Sequence, residues 1–252
     1  MRRIFLVLAA LFALGVLGLV GWGWSMSHPL PVSRGGAEAQ ARVAALEAAV
    51  NLPAWENTGA VSFHFGGRHT HLWDRKRELH RVAFGPNVVM HDLRTREGRA
   101  WLDGEELDGE ARDAALDKAW ALWCNDTFWL NPIAKLRDPG VEVGAVDLDD
   151  GTKGILVHYT SGGVTPGDQY LWLLGPDGLP VAWRMWVSIV PIPGIEASWE
   201  GWTDLSTGAK VSTAHALGPW PLELTDLKAA ATLAELVDGP DPFAPILSAR
   251  PQ

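Results

Sequence analysis

The chain has 252 residues, of which 47% are hydrophobic and 20% are charged, and this balance excludes a disordered or low-complexity protein. Its 30 acidic residues outnumber 21 basic ones, giving a formal net charge of -9, which argues against nucleic acid as a partner because phosphate binding needs a basic surface. The single cysteine, Cys124, excludes an intramolecular disulfide bond and a cysteine-rich zinc site.

The amino terminus predicts export. Arg2 and Arg3 precede an uncharged apolar run over residues 4–24, which as a helix would be about 31 Å long, enough to cross a bilayer. We favour an uncleaved membrane anchor over residues 1–24, because the run is long and Trp22 and Trp24 suit the membrane interface. A cleaved signal peptide is the alternative. The first places a periplasmic domain on the inner membrane, and the second releases it into the periplasm of the cell envelope.

The next segments predict a linker, a helix and a meander of strands. Residues 25–36 are rich in Pro and Gly, which is typical of a linker. The apolar spacing of Ala37–Val50 predicts a short amphipathic helix. Short alternating runs separated by turn residues then predict five strands. These are Val61–Phe65, His69–Asp74, Glu78–Phe84, Asn87–Leu93 and Arg99–Leu102.

A second helix is predicted over Gly109–Cys124, ending at Asn125 and Asp126. Its apolar stripe has one row with Leu116, Trp120 and Trp123, and an adjoining row with Ala115, Ala119 and Leu122. Strands return after residue 140, with hairpin signals at Asp150-Gly151 and Asp177-Gly178. The predicted strands are Val141–Asp147, Gly154–Thr160, Gln169–Leu174, Pro180–Val187, Ser198–Asp204, Lys210–Ala216 and Leu222–Lys228.

These elements predict a mainly β (α+β) domain over residues 37–238. About twelve strands and two helices favour a single strongly curved antiparallel sheet, an incomplete barrel with helices on one face. The remaining residues 239–252 form a Pro-rich tail that we expect to lie along the surface.

Large apolar side chains are concentrated around the second helix and the strands after it. The strand Gln169–Leu174 is apolar on both faces, so it must be covered on both. Two interpretations are open: the rings fill an ordinary core, or they line a pocket that an apolar ligand completes. The candidate lining residues are Trp120, Trp123, Phe128, Trp129, Tyr170, Trp172, Trp183 and Met185.

Three stretches resemble the signatures of a family of uncharacterised exported bacterial domains. They are residues 123–130 with Pro132, residues 135–136 and 138–141; residues 163–166 with Tyr170; and residues 72–74. That family is similar in architecture to the LolA/LolB lipoprotein carriers, in which helices plug an incomplete antiparallel barrel. The resemblance, which spans roughly residues 55–205, implies a LolA-like fold and, by fold analogy, binding of an acyl chain, lipid or lipoprotein.

Three functional hypotheses follow. The favoured one is a non-enzymatic envelope protein without a cofactor, whose partners are an apolar small molecule or lipid, the membrane through residues 4–24, and an envelope protein. The second is a metal-dependent hydrolase using His69 and His71, with His64, His80 or His91 as a third ligand. Against it, we favour the interpretation of these histidines as the polar outer face of an exported sheet. The third hypothesis is a non-catalytic structural or protein-interaction module of the envelope.

Overall fold

The computed structural model describes residues 21–247. The predicted membrane segment over residues 4–24 therefore lies almost entirely outside the described residues. Between residues 21 and 247, no helix is both long and apolar enough to cross a membrane.

The described chain contains five helices, a 3-10 turn and fifteen strands after residue 36. The helices are α1 (Ala37–Ala49), α2 (Leu52–Asn57), α3 (Gly109–Leu130), α4 (Leu233–Leu236) and α5 (Ala244–Leu247), and the 3-10 turn is Pro132–Lys135. The first six strands are β1 (Ala60–Phe65), β2 (His69–Asp74), β3 (Leu79–Phe84), β4 (Asn87–Asp92), β5 (Gly98–Leu102) and β6 (Glu105–Glu106). The others are β7 (Val141–Asp147), β8 (Lys153–Tyr159), β9 (Gln169–Leu174), β10 (Pro180–Trp186), β11 (Ile195–Ser198), β12 (Thr203–Asp204), β13 (Lys210–Val211), β14 (Ala214–Leu217) and β15 (Trp220–Ala230).

Thirteen of these strands form one antiparallel sheet. Their order is β6-β5-β4-β3-β2-β1-β15-β14-β11-β10-β9-β8-β7, and β12 and β13 form a separate two-stranded sheet. The pairing of β1 with β15 joins the two halves of the large sheet. Within the described residues, the end strands β6 and β7 are not paired with each other. The predicted fold class, a mainly β protein with one open antiparallel sheet, is confirmed.

Helix α3 lies across one face of this sheet, which we call the inner face. Its first half packs Ala115, Ala119 and Leu122 against strands β3, β4 and β5. Its last turn brings Phe128 and Trp129 against the apolar cluster of β8, β9 and β10. The buried side of α1 contributes to that same cluster. The helix therefore spans both halves of the sheet.

The predicted end of α3 is wrong. The helix continues through Asn125 and Asp126 to Leu130. Between Gly109 and Pro132 there is no glycine or proline to interrupt it. Pro132 disfavours the helical conformation at Asn131 and lacks a backbone N–H, so the helix ends there.

Two predicted strands are each divided in two. The predicted strand Ser198–Asp204 is interrupted at Gly201, whose φ of 62° leaves the extended region. The predicted strand Lys210–Ala216 is divided between β13, which pairs with β12, and β14, which pairs with β11 and β15. One extended segment thus passes from the small sheet to the large one, a change of partner that local sequence patterns do not reveal.

The tail after residue 238 is more than a surface segment. Phe243 has no exposed surface, and it packs with Ile246 and α4 against Leu72 and Leu79. These last two side chains lie on the outer face of β2 and β3, opposite the inner-face histidines. The expectation of a tail lying along the surface is therefore wrong for Phe243.

Candidate functional site

An open cavity of about 800 Å³ lies beside the carboxyl-terminal half of α3. The helix forms one wall, and the loop over residues 161–165 that precedes β9 forms another. The apolar part of the lining includes Trp120, Trp123, Phe128, Tyr170 and Ile189. A mostly apolar concave site of this size falls within the usual range of small-molecule pockets, about 300–1,000 Å³.

The structure divides the eight predicted lining residues into two groups. Trp120, Trp123, Phe128 and Tyr170 line the cavity. Trp129, Trp172, Trp183 and Met185 belong instead to the apolar core between α1, α3 and the sheet. Trp172 and Trp183 have no exposed surface. Half of the predicted residues thus lie at the cavity and half in the core.

The rotation of α3 about its axis explains why Trp120 and Trp123 line the cavity. Ala115, Ala119, Leu122 and Asp126 are buried on the side that faces the sheet. Trp120 and Trp123 lie on the adjoining row and are only half-buried. The small side chains of Ala115 and Ala119 let the helix approach the strands closely. The indoles of Trp120 and Trp123 therefore face the cavity and not the helix–sheet contact. The ring of Trp123 also contacts Trp73 of β2, with centroids 5.7 Å apart.

The rim of the cavity combines basic and apolar side chains. The Arg96 guanidinium lies 4.1 Å from the centroid of the Trp120 ring, and Lys118 lies on the same rim. Lys135 also lines the cavity and forms a 2.9 Å ion pair with Asp138. Val164 and Ile189 are 53% and 71% exposed, so the entrance has apolar groups beside its charges.

A cluster of two imidazoles and one carboxylate lies at the inner wall. Oδ2 of Asp126 is 2.7 Å from Nδ1 of His69 and 2.8 Å from Nε2 of His71. Asp126 and His71 have no exposed surface, whereas the His69 side chain is 20% exposed and lines the cavity. The cluster therefore faces the cavity through His69 and Asp126.

Neighbouring side chains fix the orientation of the cluster. His71 stacks on Phe63, with ring centroids 4.6 Å apart and planes at 10°, and His69 stacks on Phe65 at 6.1 Å and 6°. Both pairs are direct cross-strand partners of β2 and β1. The side-chain amide of Asn125 donates a 2.8 Å hydrogen bond to Oδ1 of Asp126. The arrangement is thus held by stacked rings and by the helix, not by a loop.

Two further histidines extend the cluster across the sheet. Nδ1 of His71 is 2.9 Å from Nε2 of His80, and Nδ1 of His80 is 2.8 Å from Nε2 of His91. Burial lowers the pKa of His80 well below its ordinary value and lowers that of His91 to about 4, so both rings are neutral at pH 7. We call the series His71, His80 and His91 the histidine chain.

The expectation that His69 and His71 lie on a polar outer face is wrong. They lie on the inner face, and His71, His80 and His91 each have no exposed surface. The sequence indicated that His69 and His71 share a face, but it missed Asp126, which the predicted helix end placed outside the pattern. The sequence did contain a signal, the helical repeat: Asp126 comes four residues after Leu122 and so lies on the same buried side of α3.

Cys124 and Tyr159 also line the cavity. Burial raises the pKa of the Cys124 thiol to about 11, so it is protonated at neutral pH. Burial also raises the pKa of Tyr159, and its hydroxyl has no hydrogen-bond partner among the described residues. The hydroxyl itself is buried, so it is an unpaired polar group in the wall of the cavity.

No protein-family model and no curated protein matches the sequence. A crystal structure of a DUF1329 family protein from Desulfovibrio piger is similar to the chain, with a TM-score of 0.40 and 10% identity over 76% of this chain and 92% of that chain. Identity this low gives no information about the ligand or activity.

Proposed function

We propose that the protein is a non-enzymatic binding protein that holds an amphiphile with an apolar chain in the cavity beside α3. The observation that carries the proposal is the cavity itself, because about 800 Å³ of open space is lined by Trp120, Trp123, Phe128 and Tyr170. Burying a methylene group contributes about 0.8 kcal/mol, so eight methylenes contribute about 6 kcal/mol before the costs of binding.

The charges at the rim indicate the polar end of the ligand. Arg96 and Lys118 line the cavity, whereas Lys135 is paired with Asp138, and cationic side chains favour an anionic head group such as a carboxylate. The exposed Val164 and Ile189 beside them suit contact with the chain as it enters. A fatty acid combines both features, so it is the ligand class with which we would begin. The lipoprotein-carrier-like role that the family resemblance implies by fold analogy is a special case of this proposal.

Tryptophan quenching by a brominated stearic acid tests the proposal, since bromine quenches only indoles that it approaches closely. We expect saturable quenching at one ligand per chain, most of it lost in the W120F/W123F double variant. The W101F variant is the control, because Trp101 lies on β5 outside the cavity lining. Quenching that does not saturate, or that is equal in the double variant, would contradict the proposal.

A second pair of variants separates the cavity from general surface effects. Ala121 lines the cavity, whereas Ala114 is exposed on the same helix. A phenylalanine at position 121 takes up ligand space, so Ala121→Phe should weaken binding by at least about tenfold, which corresponds to about 1.4 kcal/mol. Ala114→Phe should leave binding unchanged. Equal effects of the two variants would place the ligand elsewhere.

We also propose that the domain works outside the cytoplasmic membrane, in the cell envelope. The support is the uncharged apolar run that follows Arg2 and Arg3. Protease treatment of intact spheroplasts should cleave the domain, whereas a cytoplasmic domain would be protected. A membrane pellet that retains the protein after a high-salt wash would distinguish the anchor from a cleaved signal peptide.

A further inference from the structure

We propose that His69, His71 and Asp126 form a binding site for a divalent transition metal such as Zn²⁺ at the inner wall of the cavity. The three ligand atoms, one from each side chain, all lie within 4.8 Å of one another. Two imidazole nitrogens and a carboxylate oxygen are a common ligand set for Zn²⁺ and Fe²⁺. This inference does not depend on amphiphile binding.

The ligand atoms would have to move apart only slightly to hold a metal ion. Metal–ligand bonds of about 2.0–2.2 Å place tetrahedral ligand atoms roughly 3.4 Å apart. The nitrogens of His69 and His71 are 2.7 and 2.8 Å from Oδ2 of Asp126, where hydrogen bonds now hold them. Each nitrogen–oxygen distance therefore has to increase by about 0.6–0.7 Å when the metal displaces the two shared protons, and the nitrogens of His69 and His71 already lie within 4.8 Å of each other. Of the three ligands, the His69 side chain is partly exposed and lines the cavity, so water or another fourth ligand would reach the metal from that side.

Neighbouring side chains already hold the ligands in fixed orientations. The ring planes of His69 and His71 are fixed by stacking on Phe65 and Phe63, and Asn125 holds the second oxygen of Asp126. A ligating histidine almost always engages its other nitrogen in a hydrogen bond, and Nδ1 of His71 has Nε2 of His80 at 2.9 Å. Outer contacts of this kind orient the ring and raise metal affinity.

The histidine chain makes a distinctive prediction about tautomers. A carboxylate can only accept, so the hydrogen bond to Asp126 assigns the proton of neutral His71 to Nε2. The protons of His80 and His91 then also lie on Nε2, each donated to the Nδ1 of its neighbour. Coordination through Nε2 of His71 requires the opposite order, with all three protons on Nδ1 and each ring still neutral. The metal displaces one proton from Nε2 of His71, and Nδ1 of His91, which has no partner among the described residues, takes up one proton from water at the other end of the chain.

Metal titration of the purified full-length chain tests the site. We expect the wild type to bind one equivalent of Co²⁺ or Zn²⁺, with the visible absorption bands of nitrogen-ligated Co²⁺ in a four- or five-coordinate site. Loss of an outer contact typically weakens metal affinity 10–100-fold, so His69→Asn and Asp126→Asn, which remove ligands, should weaken it at least about 100-fold. His158→Asn is the control, because His158 is partly exposed on β8 and pairs with Glu142. Circular dichroism and thermal unfolding confirm that each variant is folded.

Substoichiometric binding by the wild type, or equal affinity in the two ligand variants and the control, would overturn the site. The second readout is the nitrogen NMR spectrum of the histidine rings with and without Zn²⁺. We expect His71 and His80 to change from the Nε2–H to the Nδ1–H form when Zn²⁺ binds. Zn²⁺ binding that leaves both tautomers unchanged would exclude coordination through Nε2 of His71.

Discussion

Asp126 is the residue on which the proposed metal site depends, and no local pattern identifies its partners. It is 55 residues from His71 and 57 from His69 along the chain. The sequence indicates that the two histidines share a face of one strand, because side chains alternate along a strand. The sequence does not indicate which helix covers that face, or which residue of the helix lies opposite the two histidines. The position of the helix is set by the small side chains Ala115 and Ala119, which pack closely against β3, β4 and β5.

Cys124, the single thiol of the chain, reports on the cavity that it lines. Because burial raises its pKa to about 11, we expect slow modification by methyl methanethiosulfonate at neutral pH. The thiolate is the reactive form, so the rate should rise about tenfold for each pH unit between about 7 and 10. A saturating fatty acid should slow the reaction further by covering the thiol. Mass spectrometry of samples quenched at fixed times measures the rate.

The control for this labelling is free cysteine under the same conditions. A rate at pH 7 equal to that of free cysteine would show that the thiol is not held in an apolar setting. A rate that a saturating fatty acid leaves unchanged would place the ligand away from α3. The variant Cys124→Ser should show no labelling at any pH.

At the scale of elements, the strands joined by tight turns are the ones that the sequence predicts well. The strands β1 to β5 and β7 to β10 agree with the predicted runs within one or two residues. Their hairpins carry turn signals such as Asp150-Gly151 and Asp177-Gly178, and both glycines have positive φ. The end of α3 was missed although Pro132 supplied a local signal for it. The exchange of partners between β13 and β14, in contrast, is decided by tertiary contacts.

Gly98 shows how closely two elements approach each other beside the histidine chain. It is paired with His91 across β4 and β5, and a Cβ at position 98 would lie 2.1 Å from the Met90 carbonyl oxygen. That neighbour is backbone and cannot rotate away. We therefore expect Gly98→Ala to lower the free energy of unfolding by about 1–3 kcal/mol, the usual cost of forcing extra atoms into a packed region. Urea unfolding followed by circular dichroism measures it.

Gly35→Ala is the matched control for this substitution. Gly35 is exposed, its φ is not in the left-handed region, and no atom lies within 4 Å of the added Cβ. Its free energy of unfolding should stay within about 0.5 kcal/mol of the wild type. A Gly98→Ala variant as stable as this control would show that β4 and β5 separate freely at His91.

At the scale of the whole molecule, one long-range pairing organises the sheet. Strand β1 pairs with β2 on one side and with β15 on the other, so Ala60 lies beside both Asp74 and Ala230. The first partner follows from a hairpin and the second does not, because Ala230 is 170 residues from Ala60 along the chain. The open sheet was predictable from the number of strands, whereas the order of its strands was not. The cavity also spans this division, since His69 comes from β2 and Tyr170 from β9.

Buried neutral histidines make the folded protein sensitive to acid. His215 has 3% of its surface exposed, contacts Trp199 and Trp129, and burial lowers its pKa to about 4. In the unfolded chain the ordinary pKa is 6.5, so protons bind the unfolded state first as the pH falls. The contribution of His215 to stability is complete above about pH 6.5 and is lost between about pH 6.5 and 4. The difference of about 2.5 pKa units corresponds to about 3 kcal/mol.

The variant His215→Asn isolates this contribution. Nδ1 of His215 lies 3.2 Å from the Ser198 carbonyl oxygen, and the asparagine amide can donate a similar hydrogen bond without titrating. We expect urea unfolding between pH 8 and pH 4.5 to show a smaller loss of stability in the variant than in the wild type, by about 2–3 kcal/mol. His80 and His91 are also buried and remain in both proteins, so the variant should still be destabilised by acid. Parallel stability curves for the two proteins would mean that His215 takes up its proton equally in the folded and unfolded states, contrary to its burial among indole rings.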